Sequence, residues 1–150
     1  MIKILILSTI AIFSCREADR SKVNETGYDL ILEKALEHIE KREFSSAIVS
    51  INLLLKGDSS NGMLYLKRGY CYVQIDSFDL AINDFNQSIV LDYEPAKAHM
   101  NLGIIHELLR GPDSVSFFHF KKSFALDSTN ETTRQFLELY GVDISDETIL

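Results

Sequence analysis

Six side chains of this sequence could take part in metal or thiol chemistry: His38, His99, His106, His119, Cys15 and Cys71. Zinc needs ligand atoms within about 2.1 Å, usually from i and i+4 pairs on one helix or from separate elements. His99 and His106 lie seven positions apart, so on one helix their rings would be about 10 Å apart along the axis. His38, His99 and His106 also fall in the aromatic columns of an internal repeat, where packing accounts for them, and His119 reads as a helix-surface residue. No metal site and no cofactor is expected. Cys71 sits among Tyr70, Tyr72 and Val73 without a neighbour that would make it a reactive thiolate. A buried free cysteine of that kind behaves as a small hydrophobe. No G-x-S-x-G, P-loop, H-E-x-x-H or C-x-x-C occurs, and the acidic residues fall at turns and outer faces. An enzymatic role would need pocket chemistry that is not found here.

The elements that position these residues are bounded by the totals. A chain of 150 residues allows one domain, or one domain with a tail. With 46% hydrophobic and 25% charged residues it can bury an ordinary core. Its 15 basic and 22 acidic residues give a net charge of −7, which argues against a nucleic-acid surface. Two cysteines cannot make a disulfide scaffold. Two prolines and seven glycines are few for an all-β chain, which needs turn residues about every 8–12 positions, so helices are favoured.

The start of the chain is organised differently from the rest. After Lys3 come eleven uncharged residues, Ile4 to Ser14, and then Cys15. As a helix they would span roughly 16 Å, about half of a ~30 Å hydrocarbon core, so a spanning helix is not expected. A basic start, a short apolar centre and a small residue at the end make a secretory signal. Ile12-Phe13-Ser14-Cys15 resembles the lipobox of bacterial lipoproteins: an aliphatic residue, a variable one, a small one and cysteine. Phe13 departs from the commonest pattern, which prefers something smaller there. The resemblance implies cleavage after Ser14 and lipid on the new N-terminal Cys15. An ordinary signal and a buried helix are the alternatives. The stretch Arg16 to Gly27 turns polar at once and reads as a flexible tether over 15–27. Losing the leader 1–14 would leave 14 basic against 22 acidic residues, a net charge of −8. Such a domain would be held near a membrane by lipid and would not lie flat on anionic headgroups.

From Tyr28 onward the chain repeats itself every 34 residues. That shift places Ala35 on Gly69 and Gly103, Ile31 on Tyr65 and His99, Phe44 on Phe78, and Ala47 on Ala81. One extra residue near Arg110 keeps the third unit in register, with Phe120 on Phe85 and Asp127 on Asp92. Each unit holds two helical blocks split by a short polar turn. Glycine inside a helix costs about 1 kcal/mol against alanine, so Gly69 and Gly103 mark places where a neighbouring helix crosses closely. A seventh helix, Glu131 to Gly141, carries Phe136, Leu137 and Tyr140 on one side and would cap the stack.

These residues resemble the tetratricopeptide repeats, whose unit is a 34-residue helix–turn–helix. The middle unit carries the pattern as Tyr65, Gly69, Tyr72, Phe78, Ala81, Phe85 and Leu91-Asp92. It departs with Arg68 for leucine, Ser88 for alanine and Tyr93 for proline; the third unit replaces the turn by Arg110 to Ser114 and the alanine by Ser116. The resemblance implies an all-α solenoid of three hairpins (about 28–61, 62–95 and 96–130), a cap over 131–141 and a loose tail over 142–150. It also implies a concave groove lined by the first helix of each unit. Carried over position by position, that groove would be offered by Leu32, Leu36, Met63, Leu66, Lys67, Tyr70, Val73, Lys97, Met100, Asn101 and Ile104. Some chaperone-binding members hold a C-terminal carboxylate with lysines and asparagines there. Only Lys97 matches outright, and Leu32 and Leu36 stand where lysine and asparagine would be, so a carboxylate clamp is not expected. The apolar residues and two methionines suit an amphipathic helix or an apolar strand.

The expected function is a lipid-anchored adaptor of the bacterial cell envelope, at the outer membrane in preference to the inner, that binds another envelope protein. The alternative is a self-associating structural lipoprotein without a peptide ligand. The groove residues could also serve packing alone.

Overall fold

The structure, a computed structural model, describes residues 27–143. The leader, Cys15, the tether up to residue 26 and the tail beyond residue 143 lie outside the described residues. Gly27, the last residue read as tether, is helical. Among the described residues there are seven α-helices and no strand: α1 (27–40), α2 (Phe44–Gly57), α3 (Gly62–Gln74), α4 (Phe78–Val90), α5 (Pro95–Arg110), α6 (Ser114–Leu126) and α7 (Glu131–Leu139). Among these residues no helix is long and apolar enough to cross a membrane.

The helices begin where the chain supplies acceptors for their free N–H groups. The Asn61 side chain accepts from Met63 N–H at the start of α3, and Asn130 from Thr133 N–H at the start of α7. At α6 the Asp113 carboxylate accepts from Val115 and Ser116 N–H, while Ser116 Oγ accepts from Asp113 N–H in return. This reciprocal cap explains why serine stands at the third unit's alanine place. α5 starts on Pro95, whose fixed φ suits a first helical turn, and ends at Gly111 with φ +72°.

The helices pack in chain order, each against the next. The core is correspondingly divided into three clusters, as expected of a stack in which each unit touches only its neighbours. The first joins α1, α2 and α3 through Ala35, Phe44, Ala47, Ile51, Leu64 and Cys71. The second joins α3, α4 and α5 through Leu66, Ala81, Phe85, Ala98, Leu102 and Ile105. The third joins α6 and α7 through Phe120, Phe124 and Leu137. Val142, read from sequence as the start of a loose tail, packs against this third cluster and donates its N–H to Leu137 O.

Two glycines set the spacing within hairpins. A Cβ at Gly69 would lie 2.9 Å from Phe85 Cε1, and one at Gly103 would lie 2.7 Å from Phe120 Cε1. Both rings are fully buried. The absent methyl therefore lets each ring lie against a helix backbone, burying a side chain worth about 1.5–3 kcal/mol.

Candidate partner-binding cleft

The first helices of the three hairpins, α1, α3 and α5, face a common cleft of about 300 Å³. Leu66, Lys67 and Tyr70 come from successive turns of α3, and Lys97 and Asn101 from one face of α5. Ile39 from α1 and Glu94 from the start of α5 complete the lining. The floor is apolar, because Leu66 belongs to the second core cluster. Tyr70 stands at 42% exposure and meets the edge of Phe44 with ring centres 6.1 Å apart. An aromatic held on one edge and open on the other combines apolar area with few torsions to freeze.

Charge in the cleft runs against that of the chain. Two lysines, Lys67 and Lys97, face one acid, Glu94. Glu94 forms an ion pair with Lys97 and adopts φ +41°, in the left-handed region. A non-glycine residue held there stores backbone strain, about 1–3 kcal/mol by the usual scale. Asn101 Nδ2 donates to Lys97 O at 3.0 Å, leaving its amide oxygen to accept. A second cleft of about 370 Å³ adjoins the first, sharing Glu94 and Lys97 and continuing to Ala96, Leu126, Asp127 and Asn130.

Five of the residues expected at the groove thus come together: Leu66, Lys67, Tyr70, Lys97 and Asn101. The remaining six do not line this cleft. Leu32 and Met63 pack against the first core cluster, Val73 against the second and Ile104 against the third. Leu36 and Met100 are half-buried. Ile39 and Glu94 were missed. Ile39 was within reach of the pattern, since it continues the helical face of Leu32 and Leu36. Glu94 precedes a proline in a turn, where spacing within helices carries no information.

Cys71 is buried beneath this region, in the first core cluster. Burial pushes its thiol up to about 11, and the Lys67 charge offsets only part of that. It is a packing residue held as the neutral thiol. Among the described residues no group of three or more His, Cys, Asp or Glu is placed to hold a metal ion.

Solved structures with this arrangement are numerous. The first repeat domain of Spaghetti (RPAP3), bound to the HSP90 peptide SRMEEVD, superposes with a TM-score of 0.69 over 79% of this chain and 94% of that one, at 18% identity. The Arabidopsis OM64 TPR domain gives 0.67 over 75% and 95%, at 19% identity. The fold is that of the tetratricopeptide repeat. The second TPR domain of human RPAP3, in complex with the HSP70 peptide SGPTIEEVD, gives 0.66 over 75% and 93%, at 20% identity. By sequence, the chain is 30% identical over 98 residues to human peptidyl-prolyl cis-trans isomerase FKBP4, covering 65% of this chain. It is 28% identical over 81 residues to heat shock protein STI1 of Saccharomyces cerevisiae, covering 54%. It spans only 21% and 14% of the length of these two relatives. No family model matches the chain.

Proposed function

We propose that this chain is an adaptor that binds an extended segment of another envelope protein along the α1–α3–α5 cleft, and is held at a bacterial membrane by lipid on Cys15. One observation carries the binding half: successive hairpins contribute one continuous cleft with an apolar floor, an exposed Tyr70 and two lysines. Such a cleft suits a segment presenting an apolar side chain to Tyr70 and Leu66, with an acidic group near Lys67. The peptide-bound RPAP3 domains support the same mode by analogy. α1 contributes only Ile39 to the lining and so no donor, which favours a segment held by its side chains over one held by a terminal carboxylate.

The anchoring half rests on the sequence around Cys15 alone. Metabolic labelling with an alkyne palmitate tests it: label on the wild type that vanishes in Cys15→Ser supports the anchor, and equal label refutes it. Recovery from crosslinked native membranes tests the binding half. One envelope protein should copurify with the wild type and be lost from the folded Tyr70→Ala, Lys97→Ala double variant. An unchanged catch would refute it.

A structural reading has its own observation in Leu139, 73% exposed on α7 at the end of the stack. A mass that grows with concentration would favour stacking between copies.

A further inference from the structure

Three of the four histidines meet between α5 and α6, a cluster that the binding cleft does not use. His119 of α6 lies between His99 and His106 of α5. Its Nδ1 is 3.0 Å from His99 Nδ1, and its ring is stacked on that of His106 at 5.6 Å and 7°. The ring centres of His99 and His119 are 5.3 Å apart, which is what a nearly straight bond of 3.0 Å gives once the two ring radii are added. Two nitrogens in line share one proton: one ring donates Nδ1–H and the other accepts with its Nδ1 lone pair. Lone pairs aimed at a common metal ion would converge at an angle instead. Phe118 closes one side, edge-on to both His99 and His119. His106 Nδ1 is buried without a hydrogen-bond partner.

We propose that His99, His119 and His106 form an acid-sensitive latch that joins α5 to α6 while the rings are neutral and loosens the third hairpin when a further proton is added. On the accepting ring, which carries its hydrogen on Nε2, a new proton can go only to the Nδ1 engaged in the bond; on the donating ring it goes to the free Nε2. The first sets two N–H groups face to face, and either one places a charge beside two other imidazoles in a half-buried cluster. The surroundings do little to neutralise that charge. Lys122 on α6 adds to the repulsion at His99, and the Asp113 carboxylate at the α6 cap reaches only His106. On α4, Asp84 is committed to Arg68 of α3, and Glu107 of α5 accepts from Tyr140, beyond α7. Burial, with the His99 and His106 charges, holds His119 down to about 4, and burial with Lys122 lowers His99.

The consequence reaches the cleft, because α5 carries Lys97 and Asn101 on one face and His99 on the opposite one. The latch itself does not depend on peptide binding. A histidine whose folded pKa is lowered leaves the fold less stable as pH falls from the unfolded value of about 6.5 towards 4.

Urea unfolding of the full chain at about pH 7.5 and about pH 5 tests this, with wild type beside His119→Asn, whose amide keeps a polar group near Nδ1 without titrating. Over that interval the wild-type folding constant should fall about tenfold further than the variant's, allowing for solvent screening of a half-buried group. Equal falls would overturn the latch. An imidazole NMR titration of the wild type is independent of the variant's folding. His119 should take its proton near pH 4, with the α5 and α6 amides shifting together. Uptake near the ordinary value of about 6.5, with those amides unmoved, would equally overturn it.

Discussion

Arg68 holds Asp84 in a two-pronged grip: Nε donates to Oδ2 and Nη2 to Oδ1, each at 2.7 Å. The third arm, Nη1, donates to Asn52 Oδ1 at 2.6 Å, so one side chain of α3 ties α2 to α4. Tyr65 and Tyr72 flank the guanidinium at 5.4 and 5.8 Å from their ring centres. The carboxylate is only 6% exposed. Restoring the repeat's usual leucine at this place should therefore harm this chain. Arg68→Leu leaves a buried carboxylate unpaired and should cost about 3 kcal/mol, whereas Arg68→Leu with Asp84→Ala should recover most of that. Urea unfolding of the two variants at neutral pH checks it.

The glycines divide into two kinds. Alanine at Gly103 would meet the buried ring of Phe120 at 2.7 Å, and overpacking of this sort costs about 1–3 kcal/mol, more than the helix gains. Alanine at Gly57 meets nothing within 4 Å, and should stabilise by up to about 1 kcal/mol. Thermal unfolding should separate the two, and Phe120→Leu should partly rescue Gly103→Ala.

Cys71 should be inert in the native chain. With its thiol pushed up to about 11 by burial, alkylation at pH 8 should be slow and should accelerate sharply in urea. Because burial disfavours the thiolate, the group weakens the fold as pH rises from about 9 towards 11, and not below. Rates of iodoacetamide labelling with and without denaturant check both statements.

The cleft should bind the acidic peptide SRMEEVD poorly, since α1 contributes only the apolar Ile39 to its lining and no donor for a terminal carboxylate. Ile39→Lys puts a charged donor into the lining itself, and should raise the affinity about tenfold or more. Fluorescence anisotropy of the labelled peptide measures the change.

Sequence carried the fold further than the site, for physical reasons. Gly69 and Gly103 announced a close approach, and it is the rings of Phe85 and Phe120 that make it. The 34-residue register placed every first and second helix, because a backbone stack tolerates few alternatives. It could not decide on which side of a helix boundary a half-buried side chain falls. Leu66 and Met63 are three apart on α3, yet only Leu66 lines the cleft, the other packing under α1. His119 was read as surface because its neighbours Phe118, Lys121 and Lys122 give no helical stripe. The partner that half-buries it, His99, lies twenty residues away on another helix.

The most direct test replaces Tyr70 by a photo-crosslinking phenylalanine in cells, with the same group at Val49, 70% exposed on α2, as the control. A single crosslinked partner from position 70, absent from position 49 and lost when Lys67 and Lys97 are changed to alanine, is the result expected. The same products from both positions, or only crosslinks to further copies of the chain, would contradict a partner-binding cleft.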